Sequence, residues 1–322
     1  MTDQTVSQAM LTLAAEFPVK SFLENIAIRA DNSALVTNML AKELWYVPPA
    51  GGILPVEPVC IHNYDEPPLA IVEAEPDIFY LATSNVYTSH ESYIHRLDLH
   101  DWAPGQPLKT EMVLTMPSET RSLNGGCLIA PSILLLADSL EGMIWRIDLP
   151  AGGIKPAARP WLKHPSMDSD PNGPDWTQPG VNGLKFLARE NRLYYTSTVK
   201  QLFMRVAVDP DTHEAAGEPE FVAGGRMADD FLIDPNAPVA YLTTHRQNSI
   251  DRVSLHPAEN RAFARNSVAS YPPNNLLIGP SAGAWGRGSG EAGRVAYFLT
   301  DGGTKSPPKQ GPQTAKLLRV EF

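Results

Sequence analysis

Cysteine is nearly missing from this chain: Cys60 and Cys127 are the two it has. Two thiols cannot build a disulfide scaffold or a Cys-rich zinc site, so both are expected to be idle thiols in a reducing compartment. No Lys/Arg cluster stands out either. The 26 basic side chains are scattered among 36 acidic ones, for a net charge of −10. A surface that tracks phosphates needs concentrated positive charge, so nucleic-acid binding is not expected. The first twenty residues lack a basic segment followed by a long apolar one, and no run is long enough to cross a bilayer. A cytoplasmic protein without a membrane partner is the expectation. Sustained 3.6-residue periodicity is also absent, and only residues near 4–16 suggest a short helix.

What the chain does have is turns and repetition. Its 30 prolines and 23 glycines are spread over all 322 residues. A short unit recurs six times: a polar residue, an apolar strand, a turn, then a second apolar strand ending in Thr, Ser or Asp. Four copies are clear. Glu24-Asn25 leads to Ala34–Asn38, Asn124-Gly125 to Leu134–Ser139, Asn182-Gly183 to Leu193–Ser197, and Asp229-Asp230 to Ala240–Thr244. Weaker copies begin near Leu69 and Ser281. A third strand follows in several units, as in Met143–Leu149 and Ser249–Leu255. Short β-branched and aromatic runs bounded by Gly, Pro, Asp and Asn are strand signals. Six short antiparallel sheets of roughly 50 residues each protect their edges by closing into a ring. The expected fold is therefore all-β: residues 1–322 as one six-bladed β-propeller of four-stranded antiparallel sheets. Leu317–Phe322 is a plausible closing strand.

In such a ring the innermost strands line a central channel, and equivalent positions meet at one mouth. Four of the six are Glu24, Asn124, Asn182 and Asp229. Each alone is more often a turn cap than a ligand. Four in equivalent slots point to a shared site, and two carboxylates with two amides suit one hard divalent cation, calcium as first guess.

These units resemble the senescence marker protein, gluconolactonase and luciferin-regenerating enzyme family of six-bladed propellers. The motifs that carry the likeness are Leu23-Glu24-Asn25, Leu123-Asn124-Gly125, Val181-Asn182-Gly183-Leu184 and Asp229-Asp230-Phe231. The resemblance implies a metal held by Glu24, Asn182 and Asp229, with Asn124 on metal or substrate and the blade-five Asp acting as base. This chain has Asn124-Gly125-Gly126 where the family usually has Asn-Asp-Gly, so an acid is missing beside the site. The stretches Glu24–Arg29 and Ala137–Asp148 resemble a fungal subfamily encoded in natural-product clusters. Some of its members are hetero-Diels–Alderases, which join a quinone methide to a terpene alkene, as in tropolone sesquiterpenoids.

Three functions follow, in order of preference: a cyclase of that type acting on small apolar substrates, a metal-dependent lactonase or esterase, and a non-catalytic binding propeller. Cycloaddition needs two partners held in register and donors for developing charge, with no nucleophile and no required metal. The candidate catalytic residues are Asp229, Asp230, Asn124, His245 and Arg226. The candidate substrate-binding residues are Trp45, Tyr46, Met39, Met143, Trp176, Met227 and Trp285, each of which could equally pack a blade. The segment 163–180 is expected to be a long loop over the channel.

Overall fold

A computed structural model describes residues 8–149, 155–173, 178–260 and 266–322. Six four-stranded antiparallel sheets make up the fold. The inner strands are Leu23–Ile28, Pro68–Glu75, Leu123–Ala130, Val181–Leu187, Phe231–Ile233 and Pro280–Trp285, of blades one to six in turn. Each touches the inner strands of both neighbouring blades, so the ring is closed. Among the described residues the helical elements are four three-residue 3-10 turns, and no helix is long and apolar enough to cross a membrane.

Second strands are the driest part of each blade. Ala34–Asn38, Ile78–Ser84, Ile133–Asp138, Val239–Thr244 and Val295–Thr300 are buried at every position. Each is covered on both faces by the adjoining blades, which is why these segments are continuous apolar runs without alternation. The core lies between blades. Val36 and Val295, for example, share one cluster across the junction of blades one and six. Burying a Leu or Phe side chain there contributes about 1.5–3 kcal/mol.

The ends of the chain close the ring in one blade. Thr314–Glu321 pairs with Val295–Thr300 on one side and Met10–Val19 on the other. Met10–Val19 corrects the helix expected near 4–16. Ala14, Ala15 and Phe17 are buried in the blade-one/blade-six core, and the strand's partner lies some three hundred residues away. A local periodicity count cannot see that partner.

The repeated unit has a structural cause. Inner strands break register with their second strands at the polar position: between Leu23 and Ile26, Pro68 and Ile71, Leu123 and Gly126, Val181 and Leu184, and Pro280 and Gly283. Such a bulge leaves two residues without ladder partners and re-aims their side chains. A threonine near the end of the second strand repairs the break. Thr196 Oγ1 accepts the Gly183 N–H (2.9 Å) and donates to the carbonyl of Asp229 in the next blade (2.7 Å). Thr37 links Asn25 to Leu69, and Thr243 links Asp230 to Ser281, in the same way.

Candidate active site

The bulges of blades one, three and four deliver Glu24, Asn124 and Asn182, and the residues leading into the short inner strand of blade five deliver Asp229, to one cavity at one mouth of the channel. Leu69, their blade-two counterpart, lines it as well. Ser281, the blade-six counterpart, does not; its hydroxyl donates to the Leu23 carbonyl (2.6 Å). Phe22, Met39, Val86, Leu140 and Met227 form an apolar collar above this polar floor, with Tyr87, Arg246 and Lys305 also lining the cavity.

Two glycines let the inner strands crowd the axis. A methyl group on Gly125 would lie 2.8 Å from Gly183 Cα, and one on Gly183 would lie 2.8 Å from Asp230 Cα. The Asn-Gly pairs therefore have two jobs: the amide goes to the cavity and the glycine admits the next strand.

The Asn182 amide gives one hydrogen to Asp229 Oδ1 and another to Thr198 Oγ1 (3.0 Å). Its own Oδ1 is left for the cavity. Asn124 hydrogen-bonds the Glu24 side chain. Burial raises the pKa of Glu24 well above the ordinary value, and the Asp229 charge adds to the rise, against the opposing Asn124 bond. Burial likewise lifts Asp229 to about 6, although His245 and Asn182 pull the other way. Each carboxyl makes ionisation of the other harder.

His245 is buried in the cavity wall, its ring 5.3 Å from that of Phe22. Its Nε2 lies 3.1 Å from Asp301 Oδ2, off the line of a straight hydrogen bond. Burial opposes a charge on the imidazole, but Asp301 and Asp229 outweigh it and the pKa is raised.

Other predicted residues lie elsewhere. Arg226 is buried beside the mouth, its Nε 3.2 Å from Asp251 Oδ2 and its Nη1 on the Gly224 carbonyl. Asp230 turns down the channel to Lys185 Nζ (2.8 and 2.9 Å). Trp45 and Tyr46 sit on the third strand of blade one, packed edge-on against Phe17 and Trp102. Met143 is in the core of blades two and three. Trp285 packs on Tyr241 and Phe322 and lines the opposite mouth. Trp176 and part of the 163–180 loop lie outside the described residues; Gln178 and Pro179 of that loop line the cavity. The sequence reading passed over Phe22, Leu69, Val86, Tyr87, Asp301 and Lys305. Leu69 was recoverable from the repeat alone.

Among the described residues no group of three or more His, Cys, Asp or Glu side chains is arranged to hold a metal. The floor set mixes two carboxylates with two amides. It fits a hard divalent cation on its own chemistry: each side chain offers an oxygen, and among the described residues no hydrogen bond falls on Asn182 Oδ1.

No family model matches the sequence, and no curated protein sequence does. Solved structures do match in shape. A luciferin-regenerating enzyme superposes with a TM-score of 0.65 at 12% identity, covering 98% of this chain and 95% of that one. Regucalcin from Agrobacterium tumefaciens, a calcium-binding protein, gives 0.64 at 15%, covering 96% and 95%. A gluconolactonase from Xanthomonas campestris gives 0.65 at 12%, covering 97% and 89%. Identities this low carry a shared propeller fold, and chemistry has to be argued from the site.

Proposed function

We propose that the protein is a small-molecule enzyme working in this cavity, and that it catalyses a hetero-Diels–Alder cycloaddition between a quinone-methide-type heterodiene and a terpene-type alkene. The observation that carries this reading is an apolar collar set over a floor where Glu24 and Asp229 are buried together. One C–C and one C–O bond form together and nothing leaves. The collar of Phe22, Met39, Val86 and Met227 holds both partners in register, which supplies several kcal/mol. Glu24 in its acid form and His245 donate to the heterodiene oxygen as negative charge grows there. Asn124 holds Glu24 in place. The substrates are small and apolar. Both thiols are free, and the reaction belongs in the cytoplasm, away from nucleic acid and membrane.

A second reading is favoured by the unused Oδ1 of Asn182 beside Glu24, Asp229 and Asn124: hydrolysis of a lactone with a divalent cation, calcium first. Regucalcin and the gluconolactonase support it through the shared fold. A bound cation would supply Lewis acidity toward the lactone carbonyl. Asp229 would take the proton of the attacking water and protonated His245 would give a proton to the alkoxide as the ring C–O bond breaks.

The test is purified protein with and without chelator, on lactones and on a quinone-methide precursor mixed with an alkene. Stereoselective adduct formed equally with chelator supports cycloaddition. Lactone opening that the chelator abolishes, with no adduct above background, replaces it with the hydrolase.

A further inference from the structure

Asp301 lies one residue past the end of the second strand of blade six, one position beyond the place that Asn38 and Asp138 hold in blades one and three. Asn38 Oδ1 accepts the Phe22 N–H, and Asp138 accepts from Arg121, Ser122, Glu141 and the Trp145 ring. Asp301 does similar work, taking the N–H groups of Gly303 (2.7 Å) and Lys305 (3.2 Å). It alone of the three also meets a histidine.

The backbone is shaped around that meeting. A Cβ on Gly279, whose φ is +67°, would lie 2.7 Å from Asp301 Cγ and 3.4 Å from His245 Nε2. Glycine clears the space, and the two backbone N–H groups stop the carboxylate from turning away. With Nε2 facing Asp301, the other ring nitrogen, Nδ1, has no partner among the described residues and is the atom left for the cavity.

We propose that Asp301 is a positioning residue: it keeps a hydrogen on Nε2 of His245, so that Nδ1 is the atom offered to a substrate oxygen. The inference rests on reading the cavity as the active site and is indifferent to which of the two reactions occurs there. With the ring neutral, Nδ1 accepts a hydrogen from an acidic hydroxyl or a water. With the ring charged, Nδ1–H donates to an oxygen gaining negative charge. Either way the ligand class is an organic molecule with an acidic or polarisable oxygen on an apolar body. Burial works against the charged ring, and the Asp301 and Asp229 charges more than offset it.

The experiment is a long-range proton–nitrogen correlation spectrum of the full chain labelled with nitrogen-15 at its eight histidines. His245→Gln assigns the signal, and tropolone serves as probe. In the wild type, His245 should carry hydrogen on Nε2 in either charge state. Tropolone should shift its Nδ1 and leave the other seven histidines unmoved. Asp301→Asn should mix the two tautomers and reduce the tropolone shift by more than half. Calorimetry should show tropolone binding His245→Gln about tenfold more weakly. A wild-type ring with bare Nε2 overturns the proposal, as does a tautomer that Asp301→Asn leaves unchanged. Should tropolone fail to bind the wild type while the tautomer results hold, the positioning role stands and the cycloaddition reading falls.

Discussion

Gly183 and Asp230 touch across the channel so closely that a methyl group on Gly183 would lie 2.8 Å from the Asp230 Cα. Both belong to the axial crowd formed where inner strands of neighbouring blades converge. Gly183→Ala must push one strand aside and disturb the Asp230–Lys185 pair. A loss of about 1–3 kcal/mol is expected. Gly51→Ala, where a Cβ meets nothing within 4 Å, is the control and should be neutral. Urea unfolding of both variants checks this, and equal midpoints would contradict it.

Arg226 was a catalytic candidate by sequence, and its position makes it a structural one. It faces a fully buried Asp251, whose other oxygen takes the hydroxyls of Ser249 and Ser267. Removing the guanidinium takes a buried countercharge from Asp251. Arg226→Met should cost about 3–5 kcal/mol, while turnover per folded molecule stays within twofold. A stable variant with abolished turnover would reverse this assignment.

Asp229 has a folded pKa of about 6 against an ordinary value of 3.8. A raised carboxyl binds its proton more tightly in the folded chain than in the unfolded one. Stability from this group is therefore present at low pH and is lost as pH rises from about 4 through about 6. Asp229→Asn escapes that loss. Without divalent cations it should gain roughly 1–3 kcal/mol over the wild type at pH 7 and nothing at pH 3.5. Denaturant titration at the two pH values checks the sign. A larger gain at the acidic value would refute it.

A cation bound at the floor would reverse that balance by favouring ionised Glu24 and Asp229. Calcium at a hundred times its dissociation constant should stabilise the wild type by about 2.7 kcal/mol. Chelator should remove the gain, and Glu24→Gln should lose most of it. A shift of the same size in Glu24→Gln would locate the ion elsewhere.

Met227 stands in the collar and, unlike the floor residues, can be enlarged without unbalancing charge. Met227→Trp should lower adduct formation on the order of 100-fold by displacing one partner from its register. The melting temperature should hold within a few degrees.

The blades were legible because five of the six inner strands bulge at the same place. Blade two has Leu69 at its break, and the other bulged strands carry a polar residue there. Glu24, Asn124, Asn182 and Asp229 converge as that repeat predicts. The wall was much less legible. Trp45, Tyr46 and Met143 suit the role by residue type, yet they lie on third strands, two strands out from the axis. Met39 and Met227 reach the cavity because they follow a second strand or precede an inner one at the correct end. Asp301 was invisible for another reason. In its own blade it reads as a turn residue after the second strand, where blades one and three have Met39 and Ser139, and only the histidine from the neighbouring blade sets it apart.

The Asp230–Lys185 pair has a consequence for traffic. Asp229 lines the upper cavity and Lys185 the lower funnel, and no described residue lines both. The ion pair stands between them like a bolt across a corridor. While it holds, what enters the upper cavity leaves by the door it came through. If the reaction there joins two molecules, as proposed, the reactants load one behind the other, the inner one cannot depart while the outer one stays, and the product blocks the entrance to both until it goes.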